Sequence, residues 1–298
     1  MLEFKKLTLD DISKTRDYFH FSTNRTCDNT VGGTFMWRDY FDAEFAEFDN
    51  TLTFKVNIKY HAGLTAFTLP LGKSINNSIK AIEDHCRTIG IPLVFCTVTK
   101  EELKQIKAMF RYRNVMMYQE TNWSDYLYKS SDITSLAGRK YSGQRNHINF
   151  FKRTYENYSF EEITDINIKE VLEFYRDFSV KTKKESEYFV EEQIKTFEVL
   201  ENYKTYGLLG GLVRVNGLVA AFSVGEICGD VLHIHIEKAD ISYRGLYQII
   251  NNEFARHYVN NDTAFINREE DVGDEGLRTS KESYHPCDII DKFIVEVI

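Results

Sequence analysis

The chain has 298 residues, 43% hydrophobic and 14% aromatic, enough to bury two cores of roughly 150 residues each. Its net charge of −8 argues against bulk DNA binding, and no run approaches the roughly 20 apolar residues of a transmembrane segment. Met1-Leu2-Glu3-Phe4-Lys5-Lys6 lacks a signal-peptide core, which points to a cytoplasmic protein, and five cysteines without a CxxC pair suggest neither a disulfide framework nor a cysteine zinc site.

In chain order, Leu2-Glu3-Phe4 reads as a strand and Thr8 or Asp10 as the cap of a short helix. Gly32-Gly33 then reads as a flexible pair leading into the aromatic run Phe35 to Phe41, a core plug or a cleft lining. Alternation over Phe45 to Phe48, Leu52 to Tyr60 and Leu64 to Leu69 predicts an antiparallel meander ending at Pro70. Ile75, Ile79, Ile82 and Cys86 predict a helix stopped by Gly90; Leu93 to Val98 follows as a strand, Lys100 to Phe110 as a helix and Asn114 to Glu120 as a strand. Residues 121 to 137 form a connector, strand-like at Asp125 to Tyr128.

The second half predicts a strand at Ser159 to Ile163 and helices over Asn167 to Phe178 and Val190 to Leu200. Strands follow over Tyr206 to Val215, Leu218 to Ile227 and Val231 to Ala239, with turns at Asn216-Gly217 and Gly229-Asp230. A helix from Tyr243 to Tyr258, a strand at Phe265-Ile266, a helix from Gly276 to Tyr284 and a closing strand from Ile289 to Val297 complete the chain. Three segments are expected: an N-terminal domain over 1–137, a basic connecting helix over 138–158 and a C-terminal domain over 159–298 that carries the site.

Several residues are placed to do chemistry. Two-residue alternation puts His233, His235 and Glu237 on one face of a strand, with Glu226 brought near by the hairpin, so Glu237, His235 and Glu226 are candidate general bases. Ordinary strand pairing is the competing reading, and no metal site is expected. Arg139, Lys140, Arg145, Lys152 and Arg153 form a basic run interleaved with aromatics, suited to a phosphate-bearing ligand or to pairing with the acidic loop at 269–275. That loop follows a short strand and turns on Gly273 and Gly276, with Asn267, Arg268, Glu269 and Asp271 at its start and Arg278 and Lys281 on the next helix. Arg268, Arg278 and Lys281 would complete a phosphate clamp, while Asn267, Glu269 and Asp271 are available to an ammonium group.

The order β-α-α-β-β-β-α-β-α-β is similar to the GNAT acyltransferase fold, and the first half reads as a degenerate copy. The expected class is α+β, with two tandem GNAT-like domains, each a mixed sheet flanked by helices. The blocks Gly138 to Lys152, His235 to Ala239, Ile266 to Arg278 and Ser283 to Pro286 resemble the signatures of the DUF2156 family, similar to the C-terminal catalytic domain of phosphatidylglycerol lysyltransferase and more distantly to Fem-type transferases. Asn146 and Tyr284 lie in these blocks and join the donor-binding set.

The resemblance implies a bacterial-type transferase that moves an activated acyl or aminoacyl group to an amine or hydroxyl. No tightly bound cofactor is expected; the donor would be aminoacyl-tRNA or coenzyme A, and the acceptor a small molecule, a lipid head group or a peptide. The fold's pyrophosphate turn would fall at Arg244-Gly245, although Leu246 and Tyr247 replace its second glycine. The alternatives are a coenzyme-A-dependent N-acetyltransferase and a non-catalytic ligand-binding module.

Overall fold

Short apolar strands punctuated by glycine and asparagine turns build two separate sheets in the computed structural model, which describes residues 2–61, 63–182 and 186–298. In chain order the first half contains β1 (Lys5–Lys6), α1 (Ile12–Thr15), α2 (Val31–Met36), β2 (Glu44–Phe48), β3 (Thr51–Ile58), β4 (Leu64–Phe67), β5 (Leu71–Gly72), α3 (Asn76–Ile89), β6 (Leu93–Val98), α4 (Lys100–Met109) and β7 (Val115–Gln119). There follow β8 (Asp125–Lys129), α5 (Ser130–Ser135), α6 (Ser142–Thr154), β9 (Tyr158–Glu162), α7 (Ile168–Lys181), α8 (Glu187–Glu201), α9 (Tyr203–Tyr206), β10 (Leu209–Val215), β11 (Leu218–Cys228) and β12 (Val231–Ala239). The chain ends with α10 (Leu246–Tyr258), β13 (Phe265–Asn267), α11 (Glu275–Glu282), β14 (Asp288–Ile290) and β15 (Phe293–Val297).

The first unit holds residues Met1–Asp125, Glu270–Gly273 and Ile289–Ile298. Its sheet runs β1-β2-β3-β4-β6-β15-β7, with β5 beside β3. The predicted meander is present as β2, β3 and β4, paired antiparallel, and the β4 to β6 pair is parallel. Helix α3 lays Ile79, Ile82 and Cys86 into the core and stops at Gly90, whose φ of 73° is the left-handed value that glycine adopts without a Cβ clash. Helix α4 begins with a capping box: Thr99 N donates to Glu102 Oε2 at 2.8 Å while Glu102 N donates back to Thr99 Oγ1 at 3.4 Å. The glycine pair expected to be a loop lies inside α2. Thr30 caps that helix on Gly33 N, and a Cβ on Gly33 would come within 2.0 Å of the Cys27 carbonyl oxygen, so glycine is there for close packing rather than for freedom. Phe35 is fully buried, consistent with the plug reading of the aromatic run.

The second unit holds Tyr126–Glu269 and Asp274–Asp288. Its sheet runs β14-β8-β13-β12-β11-β10-β9. Asn216 and Gly217, with φ of 52° and 82°, close the β10–β11 hairpin as that dipeptide predicts. Helix α10 buries Ile249, Ile250 and Phe254 against Leu232, Ile234 and Val213 of the sheet. Each unit is therefore a mixed sheet flanked by helices, the α+β class expected from the element order.

Two boundaries differ from the sequence-based division. Residues 126–137, expected in the N-terminal domain, supply β8 and α5 to the second unit. The closing strand expected to run from Ile289 to Val297 is two strands: β14 ends the second sheet, and β15 lies between β6 and β7 of the first, with Phe293, Val295 and Val297 in that core. An alternating apolar run specifies a buried face but not which sheet will bury it. Within residues 138–158, helix α6 belongs to the second unit.

Candidate active site

The site residues of the second unit gather where two strands part. β12 and β13 pair in parallel only over Val231 to His233 and Phe265 to Asn267; beyond that the chain after Asn267 leaves β12. Ligand sites in α/β sheets commonly form at such carboxyl-end openings.

A β-bulge re-aims the residues of β12. Val224 is opposite Ile236 and Gly225 opposite Ile234, which leaves His235 as the extra residue. Gly225 is what permits this, since a Cβ there would lie 2.1 Å from the His233 carbonyl oxygen. The bulge corrects the expectation that His233, His235 and Glu237 share one face. His233 pairs with Glu226 and Glu237 pairs with Ser223, and because 223 and 226 lie on opposite faces of β11, His233 and Glu237 do too.

His235 therefore meets carboxylates on both ring nitrogens. Nε2 lies 2.9 Å from Glu226 Oε1 and Nδ1 lies 2.6 Å from Glu269 Oε1. Burial pushes the imidazole pKa down, but the hydrogen bonds and charges of Glu226 and Glu269 outweigh it and raise the pKa to about 10. At neutral pH His235 is accordingly an imidazolium donating to two carboxylates, rather than the free base considered from sequence. Its side chain is 1% exposed against 12% for Glu226 and 19% for Glu269, so the carboxylates are the accessible ends of the row. Glu269 holds φ at 58°, a left-handed value uncommon for a non-glycine residue.

A second cluster forms on the α10 face. Asn251 Nδ2 donates to Glu237 Oε2 at 3.0 Å and Arg268 Nη2 donates to Glu237 Oε1 at 3.1 Å, which occupies both oxygens. Glu237, a candidate base, thus has a positioning geometry. The Arg268 guanidinium lies 4.8 Å from the Tyr284 ring centroid, and among the described residues its buried Nη1 has no hydrogen-bond partner, as is also true of Asn251 Oδ1 and Ser223 Oγ. A buried guanidinium with one unused edge suits an anionic or carbonyl oxygen. Lys281 Nζ donates to the Arg268 carbonyl at 2.5 Å, and Asn267 Oδ1 accepts from Glu269 N at 2.6 Å, so both hold the backbone of this segment.

The remaining predicted residues are placed elsewhere. Arg145 Nη1 donates to the Leu136 and Gly138 carbonyls, Lys140 pairs with Asp132 at 3.0 Å, and Lys152 faces Glu253 at 3.4 Å. Local contacts therefore engage much of the basic run, while Arg139, Asn146 and Arg153 are exposed. Arg244 stacks on Phe150 at 4.7 Å, and Arg278 is half-buried on α11. Asp271 lies in the first unit, its Oδ1 accepting from Gly273 N at 2.8 Å. At the expected pyrophosphate turn, a Cβ on Gly245 would lie 2.5 Å from the His147 carbonyl oxygen, so α6 closes the space that glycine would leave for a phosphate. Sequence reasoning missed Asn251, which is fully buried; its signal in the sequence was an amide three and four residues before Phe254 and Ala255, on the apolar face of α10.

The first unit has a polar centre of its own. Lys292, fully buried, lies 2.7 Å from Asp28 Oδ2, 2.8 Å from Asp125 Oδ1 and 3.4 Å from Cys27 Sγ. Cys27, Asp28 and Asp125 have the spacing of a metal-ligand set, and the Lys292 ammonium provides the cation among them. Burial opposes its charge, but Asp125 and Asp28 prevail and hold its pKa well above the usual lysine value.

Among the described residues no helix is long and apolar enough to cross a membrane. The chain is 28% identical over 207 residues to an uncharacterized protein of Mycoplasmoides gallisepticum, covering 67% of this chain but only 64% of that relative's length. A conserved protein of unknown function from Bacteroides thetaiotaomicron superposes with a TM-score of 0.91 at 31% identity over 100% of both chains. The C-terminal DUF2156 domain of a putative lysylphosphatidylglycerol synthetase from Agrobacterium fabrum superposes with a TM-score of 0.69 at 10% identity, covering 97% of this chain and 92% of that one, which shows a shared fold. The family model described as phosphatidylglycerol lysyltransferase, C-terminal, matches residues 19–296, nearly the whole chain. The chain therefore belongs to the phosphatidylglycerol lysyltransferase C-terminal family, a family of acyltransferase-like proteins.

Proposed function

We propose that the chain is an aminoacyltransferase whose site is the opening between β12 and β13 of the second unit. The observation that carries this reading is that the Glu226–His235–Glu269 row and the Arg268–Glu237 pair meet at this opening through the consecutive residues Arg268 and Glu269, with Arg268 Nη1 unpartnered among the described residues. Transfer from an activated ester requires a group to take the proton of the attacking amine or hydroxyl and a cation to bind the developing oxyanion. A carboxylate of the row takes that proton as the nucleophile bonds to the carbonyl carbon. Arg268 binds the oxyanion, the ester C–O bond breaks, and the leaving hydroxyl takes a proton back, so that the row ends the cycle as it began. Glu237, itself held by Asn251 Nδ2, fixes the guanidinium, and Lys281 fixes its backbone.

The excess of carboxylates over cations in the row suits the ammonium of an amino acid ester better than a neutral acetyl thioester. The packing of His147 against Gly245 also weighs against coenzyme A as donor. The family name supports a lipid head group as acceptor, and small-molecule or peptide acceptors remain alternatives to it. Thermal-shift titrations with lysinamide, alaninamide, coenzyme A and acetyl-CoA test the donor class. The reading predicts a shift with the amino acid amides that is lost in Glu269→Gln; a shift with the coenzyme A compounds alone would replace it with acetyl transfer.

A further inference from the structure

We propose that the α4–β7 face of the first unit docks onto an anionic phospholipid surface. Between Glu102 and Glu120 the sequence carries Lys104, Lys107, Arg111 and Arg113 and no carboxylate, in a chain whose net charge is −8; Lys104 pairs with Glu101 at 2.7 Å and Arg113 with Glu83 at 2.6 Å, so Lys107 and Arg111 are the cations this surface offers a lipid. β7 is an edge strand, paired only with β15, and it bears no charged residue. Its Met117 and Tyr118 are about half exposed, at 48% and 49%, and Tyr112 just before it is 87% exposed. Lys107 Nζ rests 3.8 Å from Met117 Sδ and the Arg111 guanidinium 4.7 Å from the Tyr112 ring, so apolar groups lie directly beside cations. Between α3 and α4 a groove of about 820 Å³ continues the surface, floored by Ile79, Ile106, Met109 and Phe110 and rimmed by Lys80 and by the Arg113–Glu83 ion pair.

Unprotected apolar edges are rare in soluble proteins, which usually place charges within the edge strand itself. Two occupants fit an exposed strand edge, a second copy of the chain and a lipid interface, and charge separates them. A two-fold contact through β7 would pack this patch against its own copy, bringing together two sets of Lys107 and Arg111 with no carboxylate in residues 103–119 to receive them, and like charges oppose this. An anionic bilayer instead attracts those ammonium and guanidinium groups while Met117, Tyr112 and Tyr118 enter the headgroup region. The docking does not depend on the transferase site.

Co-sedimentation of the full chain with vesicles tests the proposal, using phosphatidylcholine alone and mixed in equal parts with phosphatidylserine or with phosphatidylglycerol. The chain should sediment with both anionic mixtures and not with phosphatidylcholine alone, and added salt should release it. Lys107→Glu with Arg111→Glu should lower the partition coefficient at least about tenfold, on the scale of roughly fivefold per basic residue. Tyr112→Ser with Met117→Ser should weaken binding at unchanged charge, and Lys169→Glu with Arg176→Glu, which reverses equal charge on the second unit, should not. Binding unaffected by the patch variants, or reduced equally by the control pair, would overturn the proposal. Binding to phosphatidylglycerol but not phosphatidylserine would also overturn it, by assigning the contact to head-group recognition. So would a change from dimer to monomer by light scattering in the patch variants with vesicle binding intact, since the occupant would then be a second copy.

Discussion

Glu269, 34 residues after His235, meets its Nδ1 at 2.6 Å while holding a backbone φ of 58°. The pair is built from a bulge on one side of the strand opening and a left-handed turn on the other, two local departures from regular geometry that converge on one proton position. Its consequence is a pH-dependent stability. Because the folded pKa of His235, about 10, lies above the ordinary 6.5, the stabilisation is complete below about pH 6.5 and is lost as pH rises through about 10. Urea melts from pH 6 to pH 10 should show a decline of a few kcal/mol that is absent in His235→Gln.

The Arg268–Glu237 pair makes a different prediction. With both carboxylate oxygens of Glu237 occupied, Arg268→Ala leaves a nearly buried charge without its partner, and such losses cost about 3–5 kcal/mol. Arg268→Met combined with Glu237→Gln should recover much of that stability without recovering transfer. If the double variant is as unstable as the single, the cost lies in the Tyr284 stacking rather than the ion pair.

Replacing Lys292 tests the centre of the first unit. Lys292→Met leaves the buried Asp125 and the partly buried Asp28 without their cation, with an expected loss of about 3–5 kcal/mol at neutral pH. Burial already raises the Asp28 pKa, so the gap between wild type and variant should narrow in acid, where the carboxyls protonate. A gap that widens toward acid pH would mean that the three residues do not form one electrostatic unit.

Deleting residues 291–298 removes β15 and exposes the edges of β6 and β7. Each of Phe293, Val295 and Val297 is expected to contribute roughly 1.5–3 kcal/mol by burial, enough together to unfold the first unit. Amide exchange should then show unprotected β6 and β7. Retained protection there would mean that the strand is dispensable.

Most of this architecture is legible in the residues. The meander of the first unit, the Asn216-Gly217 hairpin, the capped α4 and the Gly90 stop follow from alternation, turn chemistry and capping. Strict period-two alternation misplaced Glu237 relative to His233, although Gly225, a glycine inside a strand, was the available sign of a bulge. The sheet that receives β15 was not legible, because burial of Phe293, Val295 and Val297 is satisfied equally by any sheet with an open edge. Much of the basic run met at the candidate site only on paper: Arg145 and Lys140 are engaged by carbonyls and a carboxylate close in sequence, contacts that composition cannot show.

The transferase reading is tested most directly by incubating the purified chain with labelled lysyl- or alanyl-tRNA and phosphatidylglycerol vesicles and following label out of the tRNA. The expected result is discharge of the ester with label appearing in the lipid phase, reduced about 10²–10⁴-fold in Glu269→Gln. Discharge that is equal in wild type and Glu269→Gln, or no discharge by a wild-type chain that melts cooperatively, would contradict it.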